Sequence, residues 1–142
     1  MRAAIIVASF LRSKIYVFGG KEMSAEGMTP EEREAAKAAL RTQIAHYNEL
    51  KEELEECRKG ISEANHNIFE GVLNPMVHYD LSEGEKWRGH FYDVAVETVE
   101  TIKSTVTFYR GQASTVVGQI YLAIRDIEDK ISELEEALAA LG

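Results

Sequence analysis

At residues 82–89 the chain reads Ser82-Glu83-Gly84-Glu85-Lys86-Trp87-Arg88-Gly89, which includes its only tryptophan. Pro75 lies shortly before this stretch, and Pro30 is the only other proline. A long run of helical periodicity precedes the stretch and another follows it, because apolar residues recur at steps of three and four. We therefore predict an all-α fold: an extended antiparallel helical hairpin of coiled-coil type, with Trp87 and Gly89 near its bend.

The first helix has a strong start signal at Thr29-Pro30-Glu31-Glu32. Thr29 is a good N-cap, proline suits the first helical position, and Glu32 completes a capping box. We predict a helix over about 30–73 and a bend over about 74–86, because the residue before Pro75 disfavours helical geometry. The apolar stripe of this helix is Ala36, Leu40, Ile44, Tyr47, Leu50, Leu54, Cys57, Ile61, Ala64, Ile68 and Val72.

The second helix is predicted over about 87–141, after a second capping-box pattern at Ser82 and Glu85. Val94 to Tyr109 is rich in Val and Thr and would fit a strand at period two. The stripe continues on both sides of that segment, which favours helix. The stripe is Trp87, Phe91, Ala95, Val99, Ile102, Val106, Tyr109, Ala113, Val116, Ile120, Ile124, Ile127, Ile131, Leu134, Leu138 and Leu141.

Residues 1–28 lie outside this periodicity, and we predict a loosely ordered N-terminal extension. Their β-prone segments end at Gly19-Gly20, but one short hairpin is marginal by itself. A start codon assigned too early is the other alternative. The apolar run from Ala3 to Leu11 is shorter than the roughly 20 residues of a membrane span. Arg12 follows it directly and no small-x-small cleavage site is close, so we predict no secretory signal peptide.

Acidic residues outnumber basic residues by 24 to 16, which gives a formal net charge of -8. This balance argues against nucleic-acid binding and against docking on an anionic membrane, since both need a basic surface. The single Cys57 excludes an internal disulfide, and we predict that it is a small buried residue of the stripe. The 4 histidines lack zinc-ligand spacing, and there is no phosphate loop or nucleophile motif. We expect no enzyme activity, no metal site and no cofactor.

A second, semi-apolar row lies beside the main stripe of the second helix. Its members step by four and three, and they are Val94, Thr98, Thr101, Thr105 and Phe108. The row is displaced by about 100° from the main stripe, so a two-helix hairpin does not bury both. We predict that this row binds a partner protein. The alternative is a wide core face in a bulkier helix bundle.

The Trp87-Arg88-Gly89 motif between two helices resembles the Trp-x-Gly bend of the WXG small secreted proteins of type VII secretion. The wider pattern is similar to the YwqH-like family of Gram-positive bacteria, which is encoded beside LXG polymorphic toxins. It comprises a Leu/Glu-rich first helix with Cys57, the Trp-x-Gly motif, and a Tyr109-containing helix that ends in Ile124-Arg125-Asp126-Ile127-Glu128-Asp129-Lys130-Ile131. The resemblance covers roughly Glu31 to Leu141.

The resemblance implies a non-catalytic helical partner protein that acts as a targeting factor or chaperone for an LXG toxin. Its partners would be the toxin's N-terminal helical domain and a second small helical protein, in a homo- or hetero-oligomer. Trp87 would close the end of the hairpin or dock on a partner, since its ring offers a large apolar area. Gly89 would allow a tight backbone where a side chain would clash.

One feature departs from exported WXG proteins, which have Tyr-x-x-x-Asp/Glu after the second helix. The residues four positions after Tyr92, Tyr109 and Tyr121 are Val96, Ala113 and Arg125. We therefore expect a cytoplasmic protein, or one exported through type VII secretion on the signal of its partner. The alternatives are a self-sufficient secreted WXG-like dimer and a plain structural coiled coil.

Overall fold

The computed structural model describes residues 27–79 and 89–142. Over these residues the chain is almost entirely helical and has no strand. Helix α1 spans Pro30–Ile68, a π-helical turn spans Phe69–Leu73, α2 spans Asn74–His78 and α3 spans His90–Ala140. The predicted all-α class is confirmed, and α1 and α3 are two long helices packed together. The predicted extension over 1–28 falls almost wholly outside the described residues, as does most of the predicted bend.

The start of α1 is the predicted capping box. The Thr29 backbone N donates to Glu32 Oε2 at 2.8 Å, and the Glu32 backbone N donates to Thr29 Oγ1 at 3.2 Å. Pro30 is the first helical residue, where the N–H that proline lacks has no partner inside the helix. Glu31 and Glu32 place negative charge in the first turn, where the helix dipole favours it. The predicted start of the helix is therefore confirmed.

The helical run continues past its predicted end. The bend is expected to begin at Asn74, yet Asn74 has helical geometry, with φ -60° and ψ -47°. In the π-helical turn before it, the Asn74 backbone N donates to the Phe69 carbonyl, five residues back. We attribute the continuation to this wider turn, which relieves the clash of the Pro75 ring with the preceding carbonyls. After His78 the chain leaves the helix, and Tyr79 is extended.

The half-buried and buried residues of α3 follow alternating steps of three and four, the spacing of a coiled-coil seam. They include Tyr92, Val96, Val99, Lys103, Val106, Arg110, Ala113, Val117, Ile120, Ile124, Ile127, Ile131, Leu134, Leu138 and the following Leu141. The prediction is confirmed from Ile120 onwards. Before that point it is wrong for the exposed residues Phe91, Ile102, Tyr109 and Val116. Their C-terminal neighbours face inward instead, two of them through the apolar stems of Lys103 and Arg110.

The same one-residue displacement occurs on α1. Cys57 is exposed, so the prediction that it is buried is wrong, and Arg58 is half-buried in its place. Near the end of the helical run Val72 is 39% exposed, whereas Leu73 is only 7% exposed. The displacement is already present before the π-helical turn at Phe69–Leu73, and it continues through that turn. Ala64 is likewise exposed while Asn65 is half-buried.

The chain divides into two compact units. The terminal unit comprises Met1–Glu52 and Ile124–Gly142, and its core residues, each at most 5% exposed, are Ala36, Leu40, Ile124, Ile127 and Leu134. Lys51 Nζ lies 2.6 Å from Glu128 Oε1, and Lys37 Nζ donates to the Gly142 carbonyl at 2.6 Å. Early residues of α1 therefore meet late residues of α3, so the two helices are antiparallel in this unit.

The central unit comprises Glu53–Ala123, and Leu73, at 7% exposure, is the one buried apolar residue of its described part. Polar contacts join its helices. Arg110 Nε donates to Asn65 Oδ1 at 3.1 Å, and Asn65 Nδ2 donates to Ser114 Oγ at 3.3 Å. The Arg110 guanidinium carbon also lies 4.7 Å from the centre of the Phe69 ring, a cation–π distance. This unit therefore has a small apolar core supplemented by polar contacts.

Candidate protein-interaction surface

The described residues contain no group of three or more His, Cys, Asp or Glu side chains that could hold a metal ion. His78 Nδ1 lies 2.8 Å from the Asn74 carbonyl of its own helix. The pKa of Glu34 is lowered by a hydrogen bond and by the charge of Lys37, whose Nζ is 2.9 Å away.

No helix within 27–79 or 89–142 has both the length and the apolar composition of a membrane span. The most distinctive feature of these ranges is an exposed apolar surface.

Exposed large apolar side chains are concentrated in the central unit. They are Ile68, Phe69, Val72, Val77, Tyr79, Phe91, Val94, Ile102, Phe108, Tyr109, Val116, Tyr121 and Leu122. Every one of them lies within Glu53–Ala123, and the described part of the terminal unit contributes none. Single exposed apolar residues are normal on a protein surface, but a concentration of them in one part of a chain is typical of an interaction site.

The predicted binding row lies together on α3 in this unit. Val94 is 44% exposed and Phe108 is 61% exposed. The three residues between them in the row, Thr98, Thr101 and Thr105, are also exposed. The structure thus brings the whole predicted row onto one face of one helix, and it leaves that face uncovered by the described residues.

Two threonines of the row, Thr98 and Thr101, use their hydroxyl groups within their own helix. Thr98 Oγ1 donates to the Val94 carbonyl at 2.7 Å, and Thr101 Oγ1 donates to the Glu97 carbonyl at 2.9 Å. Because these two hydroxyl protons are bonded within α3, burying Thr98 and Thr101 against a partner leaves neither hydroxyl donor unsatisfied. A row of Val, Thr and Phe can therefore be covered at little polar cost.

The exposed face is wider than the sequence predicted. Four residues assigned to the seam are exposed: Phe91 by 75%, Ile102 by 43%, Tyr109 by 66% and Val116 by 42%. At about 100° per residue they project roughly 40–80° from Val94, between the predicted row and the seam. A sequence signal does identify these four residues as lying outside the seam. Steps of strictly three and four, followed back from Ile124, place Val117, Arg110 and Lys103 in the seam instead.

These four residues and the predicted row together form what we call the α3 face. Its members are Phe91, Val94, Thr98, Thr101, Ile102, Thr105, Phe108, Tyr109 and Val116. No Asp, Glu, Lys or Arg between 91 and 116 projects into the same sector of the helix. One border of the face is acidic, with Asp93, Glu97 and Glu100, all exposed. The other border is the inward-facing seam.

Gly89, one of the two predicted motif residues, begins α3. It has φ +74°, and its carbonyl accepts hydrogen bonds from Tyr92 N at 3.1 Å and Asp93 N at 3.2 Å. Apart from its chain neighbours, no atom of the described residues lies within 4 Å of the position of an added Cβ. No described residue therefore supplies the predicted clash, and the positive φ is what favours glycine at this position. Trp87 lies outside the described residues, and its role stays a prediction.

Comparison of the chain with protein-family models, with curated proteins and with solved structures finds no match in any of the three. A function for this chain is therefore argued from its own residues, and the α3 face is the feature that offers most.

Proposed function

We propose that this protein is a non-catalytic helical partner protein that covers a helix of another protein with its α3 face. In line with the resemblance to YwqH-like and WXG proteins, the partner is the N-terminal helical domain of an LXG toxin. The protein then acts as its targeting factor or chaperone before export through type VII secretion. The observation that supports this most is the uncharged, exposed apolar face on α3 in the central unit.

The large exposed side chains of the α3 face can contribute much of the free energy of binding. Burying a large apolar side chain completely contributes about 1.5–3 kcal/mol relative to leaving it in water. Phe91, Phe108 and Tyr109 are each more than half exposed, so most of that contribution remains to be gained. A partner that covers them also covers the methyl groups of the neighbouring threonines, with Thr98 and Thr101 already bonded to their own helix.

The shape of the face favours a helical partner. Its members recur at steps of three and four along one straight element, as do the anchors of helices that pack side by side. From 91 to 116 the face covers roughly 38 Å at 1.5 Å per residue. A helix of about 25 residues with a matching apolar stripe covers it completely.

The test is co-expression of the full chain with the N-terminal helical domain of an LXG toxin encoded beside its gene. The informative variant is Thr101→Lys, at the centre of the row. Because an unpaired charge buried at an interface is costly, we expect the affinity for the toxin domain to fall roughly 100-fold. The melting temperature of the isolated protein stays nearly unchanged, because Thr101 is exposed.

Thr42→Lys is the matched control. Thr42 lies in the terminal unit, is exposed, and donates to the Ala38 carbonyl at 3.0 Å, as Thr101 does to Glu97. We expect this variant to bind the toxin domain like the unaltered protein. If Thr101→Lys instead unfolds the isolated chain while its remaining folded fraction still binds, the row is internal core and the proposal is wrong.

A further inference from the structure

From the charges that border the α3 face, we infer that its occupant is an amphipathic helix whose apolar stripe is flanked by Lys or Arg. The basic flank lies against Asp93, Glu97 and Glu100, which we call the acidic edge. This inference rests on the proposed function and states the chemistry of the partner. It depends on the positions of the charges on α3 and on the net charge of the chain.

The acidic edge follows the side of the α3 face that is turned away from the seam. In helical projection Glu97, Asp93 and Glu100 lie about 60°, 100° and 120° from Val94 on that side. Further along the same side come Ser104, Thr107, Gly111 and Thr115, so the border has no Lys or Arg. A partner helix on the α3 face therefore has one flank beside a border whose only charges are the carboxylates of its N-terminal half.

Among the residues of α3, the Lys and Arg nearest in sequence lie on the other side of the helix, in the seam. Arg110 is held by Asn65 and Phe69. Lys103 Nζ reaches Glu100 Oε1 at 2.8 Å, which partly neutralises that end of the acidic edge. Asp93 and Glu97 are therefore the two carboxylates on which the inference depends most.

The position of these carboxylates within α3 has only a partial local explanation. Asp93 is in the first turn, where the helix dipole favours a negative charge. Glu97 and Glu100 lie beyond that turn, where the dipole has little effect. Like charges at i and i+4, such as Asp93 and Glu97, also disfavour an isolated helix slightly. A row of cations on a partner relieves this repulsion.

A second copy of the chain fits the acidic edge less well. It has the same formal net charge of -8, so association adds long-range repulsion. Its own α3 face has the same acidic edge, without Lys or Arg, to offer in return. A different protein with a basic-flanked helix supplies the opposite charge and favours the encounter as well as the register of the helices.

The test uses the full chain and two synthetic helical peptides of about 25 residues as probes. The peptides have the same Leu/Ala stripe and differ only in their flanking residues, which are Lys in one and Glu in the other. We expect the Lys-flanked peptide to bind about tenfold more tightly in fluorescence anisotropy, as two or three partly exposed ion pairs allow. The difference shrinks at about 0.5 M salt, because exposed charges are then screened.

Charge-reversal variants separate a local effect from a general one. Asp93→Lys with Glu97→Lys removes or inverts the preference for the Lys-flanked peptide. Glu135→Lys with Glu136→Lys changes the net charge equally, at exposed residues of the terminal unit, and leaves the preference in place. If both double variants lose the preference alike, the attraction is general and the inference is wrong.

The remaining outcomes distinguish the inference from the proposed function. If both peptides bind with equal affinity and Thr101→Lys abolishes that binding, the α3 face binds a helix. The inference that this helix has basic flanking residues is then wrong. Binding of neither peptide overturns the inference, while co-purification with the toxin domain tests the proposed function separately. If the protein sediments as a dimer and Thr101→Lys converts it to a monomer, the α3 face binds a second copy of the chain. That result overturns both the inference and the proposed function.

Discussion

One backbone angle explains why position 89 is a glycine, which the Trp-x-Gly motif alone does not explain. The φ of Gly89 is +74°, a conformation that residues with a side chain rarely adopt. Its carbonyl accepts the first hydrogen bonds of α3, from Tyr92 and Asp93. The glycine therefore supplies the backbone geometry at which α3 begins, and a Cβ at this position is strained by the positive φ, with no contact to a described residue other than its chain neighbours.

This account predicts opposite effects for two substitutions of glycine by alanine. Gly89→Ala lowers the free energy of unfolding by about 1 kcal/mol, because alanine is strained at positive φ. Gly118→Ala raises it by roughly 0.5–1 kcal/mol, because Gly118 lies inside α3 and an added Cβ has open space. Urea denaturation of both variants checks this. A loss of stability in both contradicts the role given to φ at Gly89.

Lys103, Arg110 and Arg58 show why the seam is only partly visible in the sequence. Each has a charged end on an apolar stem, and each is half-buried. A seam assigned from apolar residues alone therefore omits them and includes Ile102, Tyr109 and Cys57, each one position earlier. From Ile124 onwards every position at the alternating steps of three and four is Ile or Leu, and there the predicted seam is confirmed.

At the scale of the helices, the two units differ in how their apolar residues are used, and a pair of matched substitutions measures the difference. Leu134 is 1% exposed in the terminal unit, whereas Leu122 is 58% exposed in the central unit of the same helix. Leu134→Ala should cost about 2–5 kcal/mol of stability, as expected for a buried leucine. Leu122→Ala should change the stability by less than about 0.5 kcal/mol, as is usual at the surface. Similar losses in thermal or chemical denaturation would contradict this division.

Most of the helical organisation was predictable, because helix starts and stripes have local chemical causes. The Thr29-Pro30-Glu31-Glu32 start is confirmed by two reciprocal hydrogen bonds. The continuation through Pro75 was not predictable from local preferences, because it follows a π-helical turn that no periodicity signals.

The candidate site was predictable in its centre and not in its width. The row from Val94 to Phe108 was recognisable because it is uncharged and lies off the main stripe. The sequence pattern placed four exposed residues in the seam: Phe91, Ile102, Tyr109 and Val116. In a sequence, an apolar residue gives the same signal whether its side chain faces a neighbouring helix or solvent. The burial of their neighbours in the structure separates the two cases, and in the sequence only the strict alternation followed back from Ile124 points the same way.

For the molecule as a whole, the contrast between its two units is the main result. The terminal unit buries Ile124, Ile127 and Leu134, while the central unit exposes large apolar side chains on α3 and at the end of the α1 helical run. A chain that can bury leucine and isoleucine in one unit and leaves phenylalanine and tyrosine exposed in the other has a surface suited to a partner. We propose a partner of the class that the resemblance to WXG-like proteins implies, and the α3 face offers a physical means of binding it.

Hydroxyl-radical footprinting of the full chain, alone and in complex with the LXG toxin helical domain, tests this claim most directly. Phe108 and Tyr109 on the α3 face are 61 and 66% exposed, and Tyr121 is 62% exposed but projects about 180° from Val94. We predict that oxidation of Phe108 and Tyr109 falls several-fold in the complex while that of Tyr121 is unchanged. Unaltered oxidation of Phe108 and Tyr109 in a formed complex, or protection of Tyr121 alone, would contradict the assignment of the α3 face as the binding surface.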